Sequence, residues 1–153
     1  MQRFICQFRG GNIVPGQVSL EKPLHGWSEL HMGNWSGRLS YVDDPAFDLL
    51  WAMERAVRTR RPSAVKFDAE EYGFIIVFDL VEQYVITDDE DANSRLDIID
   101  IPLRDIAPGV IRDIKAELDL WAAFPAGIEN SAAQIEERKI NLGILLSVVE
   151  ERL

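Results

Sequence analysis

The sequence predicts an α+β domain with a mostly antiparallel sheet of about five to seven strands and two or three helices packed on it. Three observations carry that prediction. Short alternating or β-branched runs separated by turn residues recur through the first hundred residues. Two or three longer stretches repeat their apolar residues every three or four positions, as helices do. The order is several strands, a helix, three or more strands, and two helices, which is not the strict alternation of a parallel α/β sheet.

Phe4, Cys6 and Phe8 alternate with Arg3, Gln7 and Arg9, predicting a half-buried strand that stops at Gly10-Gly11. Residues 13–20 continue as a second strand with a break at Pro15-Gly16. Residues 28–32 and 35–42 read as a hairpin around the turn dipeptide Gly33-Asn34. Asp44 then fits a helix N-cap and Pro45 the first helical position, where its missing N–H costs nothing. Ala46, Leu49, Leu50, Met53 and Ala56 form the apolar face of that helix, Arg58, Arg60 and Arg61 suit its C-terminal dipole, and Pro62 ends it.

Residues 64–69 form the next strand, and Glu70-Glu71-Tyr72-Gly73 turns the chain into Phe74–Val81. That run is the most apolar in the chain, with Phe74, Ile76, Phe78 and Leu80 on one face and Ile75, Val77 and Val81 on the other. Neither face suits water, so the strand belongs inside a sheet rather than at its edge. A further strand over residues 83–87 leads to an acidic loop, residues 88–95, and then to a strand over residues 96–103. Ile111, Ile114, Leu118 and Trp121 give a helix over residues 107–124 its buried stripe. Ser131 and Gln134 fit a capping box that opens a last helix over residues 132–152. That helix closes the core or mediates an oligomer contact, within a single domain of residues 1–153.

A chain of 153 residues is long enough to bury a core without metal or disulfide, and its one cysteine, Cys6, excludes an intrachain bridge. No apolar run reaches membrane-spanning length, and the N-terminus lacks the pattern of a cleaved leader. The expectation is a cytoplasmic protein. Its net charge of −10 is unevenly spread: residues 62–129 hold 5 basic and 16 acidic side chains, whereas residues 1–61 hold 8 and 6. Such a field repels nucleic acid and anionic membranes and speeds encounter with basic partners.

Signals of catalysis are sparse. His25-x3-Glu29-x-His31 has two residues on one strand face but no third strong ligand in its pattern, so no metal site is expected there. Cys6 sits in an apolar alternation that suits a small core residue. Asp89, Asp91 and Asn93, with Asp97 and Asp100 beyond, have the spacing of a calcium loop, but Ser94 stands where that loop needs glycine. A carboxylate-based hydrolase is the enzyme alternative, resting on abundance of acids alone. The expectation is therefore a protein with no catalytic residues and no cofactor.

The acidic middle (Glu70, Glu71, Asp88, Asp89, Glu90 and Asp91) on its strand-helix frame, the passage Trp35–Pro45 and the helix Ile111–Trp121 together resemble the small immunity proteins of bacterial contact-dependent or polymorphic toxin systems. The resemblance implies a protein that binds a cognate toxin, often a nuclease with a basic cleft, and blocks substrate entry. Partner-binding candidates are Glu70, Glu71, Asp88, Asp89, Glu90 and Asp91, with Tyr72 and Tyr84 as aromatic anchors. The competing expectation is a non-catalytic structural or adaptor domain, monomeric or dimeric through its C-terminal helix.

Overall fold

The computed structural model describes the backbone of residues 3–6 and, in full, residues 17–91, 93–128 and 131–153. The expected turn at Gly10-Gly11, the break at Pro15-Gly16 and the side chain of Cys6 lie outside the described residues. The fold is α+β, as the element order predicts. Its strands are β1 (Arg3–Cys6), β2 (Val18–Leu20), β3 (Trp27–Met32), β4 (Trp35–Ser40), β5 (Ser63–Asp68), β6 (Gly73–Phe78), β7 (Gln83–Asp88) and β8 (Asn93–Ile99). Its helices are α1 (Pro45–Thr59), α2 (Leu103–Ala116), α3 (Leu118–Ala122) and α4 (Ala132–Arg152).

The strands divide into two sheets where one was expected. A five-stranded sheet has the order β1-β8-β7-β6-β5, and a three-stranded sheet has the order β2-β3-β4. Every pairing is antiparallel except β1 with β8. β6 lies between β5 and β7, so the most apolar run is interior, although it ends at Phe78. Phe74, Ile76 and Phe78 enter the core, while Ile75 and Val77 on the other face are half-buried. Val81 is exposed in the turn that follows.

The inward faces of both sheets meet α1, α2 and α4 in one apolar cluster. α2 lies so close to β2 that a Cβ on Gly109 would stand 2.7 Å from the carbonyl oxygen of Val18. α4 supplies Leu142, Leu145, Leu146 and Val149, so this helix closes the core. Arg152 of α4 joins Arg58 of α1 on a single α1 carboxylate, and so ties the two helices together. The Nε atoms of Arg58 and Arg152 lie 2.9 Å and 3.1 Å from an oxygen of Glu54, a carboxylate only 4% exposed. A buried charge persists only when paired and hydrogen-bonded, and Glu54 has both partners.

Asp44 and Pro45 start α1 as predicted, but the Asp44 side chain makes no capping bond. Instead its Oδ2 accepts from Nη2 of Arg138 on α4 at 2.8 Å, and the Arg138 guanidinium also covers the Phe47 ring. α2 begins at Leu103, four residues before the predicted start, because Pro102 takes the N-cap in extended backbone. Pro108 therefore sits inside the helix rather than at its head. The predicted single helix to Phe124 breaks at Glu117, whose φ of −133° leaves the helical region and separates α3.

Candidate functional site

The acidic segment is a tight hairpin, not a long loop. Asp88 still belongs to β7 and Asn93 already to β8, so the predicted strand over residues 96–103 starts and ends earlier. Asp89 closes the turn: its amide donates to the Asn93 carbonyl at 3.1 Å, and its Oδ1 accepts the amides of Asp91 and Asn93 at 2.9 and 3.0 Å. Those bonds, from Asn93 first, hold the Asp89 carboxyl below its ordinary range, so it stays ionised. Asp97 lies on extended strand and Asp100 beyond it, and β8 rises roughly 3.3 Å per residue. The calcium-loop spacing therefore does not wrap these oxygens around a common centre.

One rung of the large sheet leads from the core to the surface. Phe67, Phe74, Thr87 and Arg95 are successive partners across β5, β6, β7 and β8. The rung is apolar at Phe67 and Phe74 and polar at Thr87 and Arg95. Where it turns polar, a groove of about 690 Å³ opens, lined by Trp35, Tyr72, Glu71, Asp89, Glu90 and Asp91, among others. Its base is aromatic. Trp35 meets Phe74 edge-on with centroids 5.2 Å apart, and Tyr72 stacks on Phe74 at 6.1 Å. Four carboxylates form its rim, and Arg95, paired with Asp97 at 2.8 Å, is the cation among its lining residues.

The structure thus gathers Glu71, Tyr72, Asp89, Glu90 and Asp91 from two separate turns. Three other candidates lie outside the lining. Glu70 is in the same turn as Glu71, held at φ 70° with its amide donating to Asp68 Oδ1. Asp88 engages the Ser94 hydroxyl. Tyr84 pairs with Val77 and Ile98 on the outer face of the large sheet, its hydroxyl donating to Glu82. Alternation decides this, because Thr87 and Tyr84 are an odd number of residues apart and point to opposite faces.

Sequence reasoning missed Trp35 as a groove residue. Its signal was present: Gly37 follows two positions later on the same face, leaving space for the indole. A Cβ there would stand 2.5 Å from the Trp35 ring and 2.9 Å from Phe74.

A second carboxylate set surrounds the start of α1. Asp43, Asp44 and Asp48 all have raised pKa values, chiefly because burial disfavours their charge. Asp43 accepts the amide of Asp68 at 2.8 Å and Asp44 pairs with Arg138, so two of the three carry structural bonds. Comparison with protein-family models, with curated proteins and with solved structures finds no match for this chain. Among the described residues, no helix is long and apolar enough to cross a membrane.

Proposed function

We propose that this chain is a binding protein that neutralises a cognate basic protein, of the toxin class, by presenting its acidic groove to a basic cleft. The observation that supports the reading is the groove itself, in which four carboxylates from two turns surround Trp35 and Tyr72. Carboxylates at the rim steer a basic partner and set its orientation, whereas most affinity comes from aromatic contact at a desolvated centre. The volume suits a few basic side chains rather than a whole domain. If the partner is a nuclease, the carboxylates occupy the places of substrate phosphates, and inhibition follows from blocked entry.

The test uses Glu71→Lys, Glu90→Lys and Asp91→Lys together, because Asp89 also holds the hairpin turn. The wild-type chain, immobilised and exposed to source-cell lysate, retains a basic protein whose activity it inhibits. The triple variant keeps its circular dichroism and loses that protein by at least about tenfold in affinity. Equal capture and equal inhibition by both chains would remove the groove from the mechanism.

A second reading, a non-catalytic adaptor that dimerises through α4, draws on Ile140 and Ile144, which are 56% and 59% exposed one turn apart. Deleting α4 would open the core, so the informative variant is Ile140→Glu with Ile144→Glu. A dimer mass for the wild type that falls to a monomer mass in the variant favours this reading, and a monomer mass for both removes it.

A further inference from the structure

On the outer face of the small sheet, away from the core, the sequence pattern His25-x3-Glu29-x-His31 resolves differently from its spacing. His25 turns off at the tight Leu24–Trp27 connection with φ 51°, while Glu29 and His31 remain on one face of β3. The third group is Glu21, just past β2. Its amide donates to the Glu29 carbonyl at 2.9 Å, which fixes its backbone beside β3. One oxygen from each glutamate and one ring nitrogen of His31 lie within 4.8 Å of one another. Nε2 of His31 and Oε1 of Glu21 are 3.0 Å apart.

We infer that Glu21, Glu29 and His31 form a binding site for a divalent first-row transition ion such as zinc. Ligand distances of roughly 2.0–2.2 Å require donors about 3–3.5 Å apart, so the observed spread closes with side-chain rotation alone. One imidazole and two carboxylates are a borderline-hard donor set suited to zinc rather than to calcium, which takes six to eight oxygens. Two carboxylates and a neutral imidazole carry the charge that offsets a dication. The cations nearby are engaged elsewhere. Arg38, the register partner of Glu29, lies over the Trp27 ring at 4.1 Å, and Lys22 pairs with Glu117 at 3.9 Å. In the ion-bound state Nε2 supplies its lone pair, and the ring proton sits on Nδ1.

Such an ion ties the end of β2 to β3 and keeps coordination positions open on the outer face. His31 is also the register partner of Ser36, which lines the acidic groove, so the site lies one strand from it. The inference does not depend on the proposed toxin binding, because its readout is the ion alone.

The experiment is isothermal titration of the full chain with zinc chloride. The wild type is expected to bind one ion tighter than about 1 mM, and each of Glu21→Gln, Glu29→Gln and His31→Asn to weaken it at least about tenfold. His25→Asn and the double variant Glu90→Gln with Asp91→Asn are expected to bind as the wild type does. These positions are on the surface, and unchanged circular dichroism confirms that each variant is folded. Absence of wild-type binding at 1 mM, loss of binding in His25→Asn, or full binding in His31→Asn would each overturn the inference.

Discussion

The backbone amide of Arg38 on β4 donates to the phenolic oxygen of Tyr72 at 2.9 Å. This bond joins the small sheet to the turn before β6 in the large one, and it holds a groove aromatic upright against Phe74. Tyr72→Phe removes the acceptor while keeping the ring, at a cost of about 1 kcal/mol for one hydrogen bond that water partly replaces. The urea midpoint falls by the corresponding amount with an unchanged slope. On the proposed function, partner binding weakens further than stability does, because the ring loses its fixed orientation.

Elements whose signals are local were legible in the sequence. Gly33, at φ 62°, makes the predicted β3–β4 turn, with Met32 and Trp35 as register partners on either side. Ser131 accepts the Gln134 amide at 3.2 Å, as half of the predicted capping box. What depends on distant partners was not legible. Nothing near β2 says that it leaves the large sheet, because the reason is α2, whose Gly109 admits Val18 ninety-one residues earlier. The break at Glu117 has no local signal either, since Ala116, Glu117 and Leu118 are all good helix formers. The acidic groove was half legible: composition placed its carboxylates, but only pairing across strands brought Trp35 to them.

Stability should pass through a maximum in the mildly acidic range. Asp43, Asp44 and Asp48 have folded-state pKa values above the ordinary 3.8, so the folded chain holds their protons longer and their contribution falls as pH rises above that value. Asp113 behaves oppositely. Burial pushes it up, but hydrogen bonds from Arg112 and the Leu20 amide, with the Arg112 charge, outweigh burial and leave it lowered. Its stabilisation, like that of Asp89, is present above 3.8 and lost as pH falls through the folded value. Thermal midpoints measured between about pH 3 and pH 8 should therefore rise from neutral toward mild acid and then drop. Asp44→Asn flattens the neutral side of that curve, while Asp113→Asn lowers the midpoint at neutral pH and flattens the acid side.

Gly37→Ala tests whether the groove base is as closely packed as its distances show. The added methyl meets the Trp35 ring at 2.5 and 2.7 Å and Phe74 at 2.9 Å, so the indole must move. Overpacking of this kind costs about 1–3 kcal/mol. Trp35 is 6% exposed in the wild type, and its displacement should red-shift tryptophan emission and increase acrylamide quenching. Thermal stability falls in the same variant. An unchanged emission spectrum with unchanged stability would show that the base yields without cost.

Gln83 is a buried polar residue that holds three backbone groups from two segments. Its side chain is fully buried, with Nε2 donating to the carbonyls of Asp79 and Ile101 at 2.8 and 3.0 Å and Oε1 accepting the Asp79 amide at 2.8 Å. One side chain thus ties the β6–β7 turn to the segment entering α2, beside the amide of Leu103 that donates to Leu80. Gln83→Leu preserves volume and removes all three bonds, leaving the buried Ile101 carbonyl without its partner and the part-buried Asp79 backbone groups without theirs. The expected loss is about 2–4 kcal/mol, larger than for Tyr72→Phe because three bonds are lost and the Ile101 carbonyl left behind is buried, whereas the Arg38 amide is exposed. Urea denaturation measures it directly. Hydrogen exchange should show faster opening at Asp79 and Leu103, whereas the β3–β4 hairpin, which shares no bond with Gln83, retains its protection against local opening.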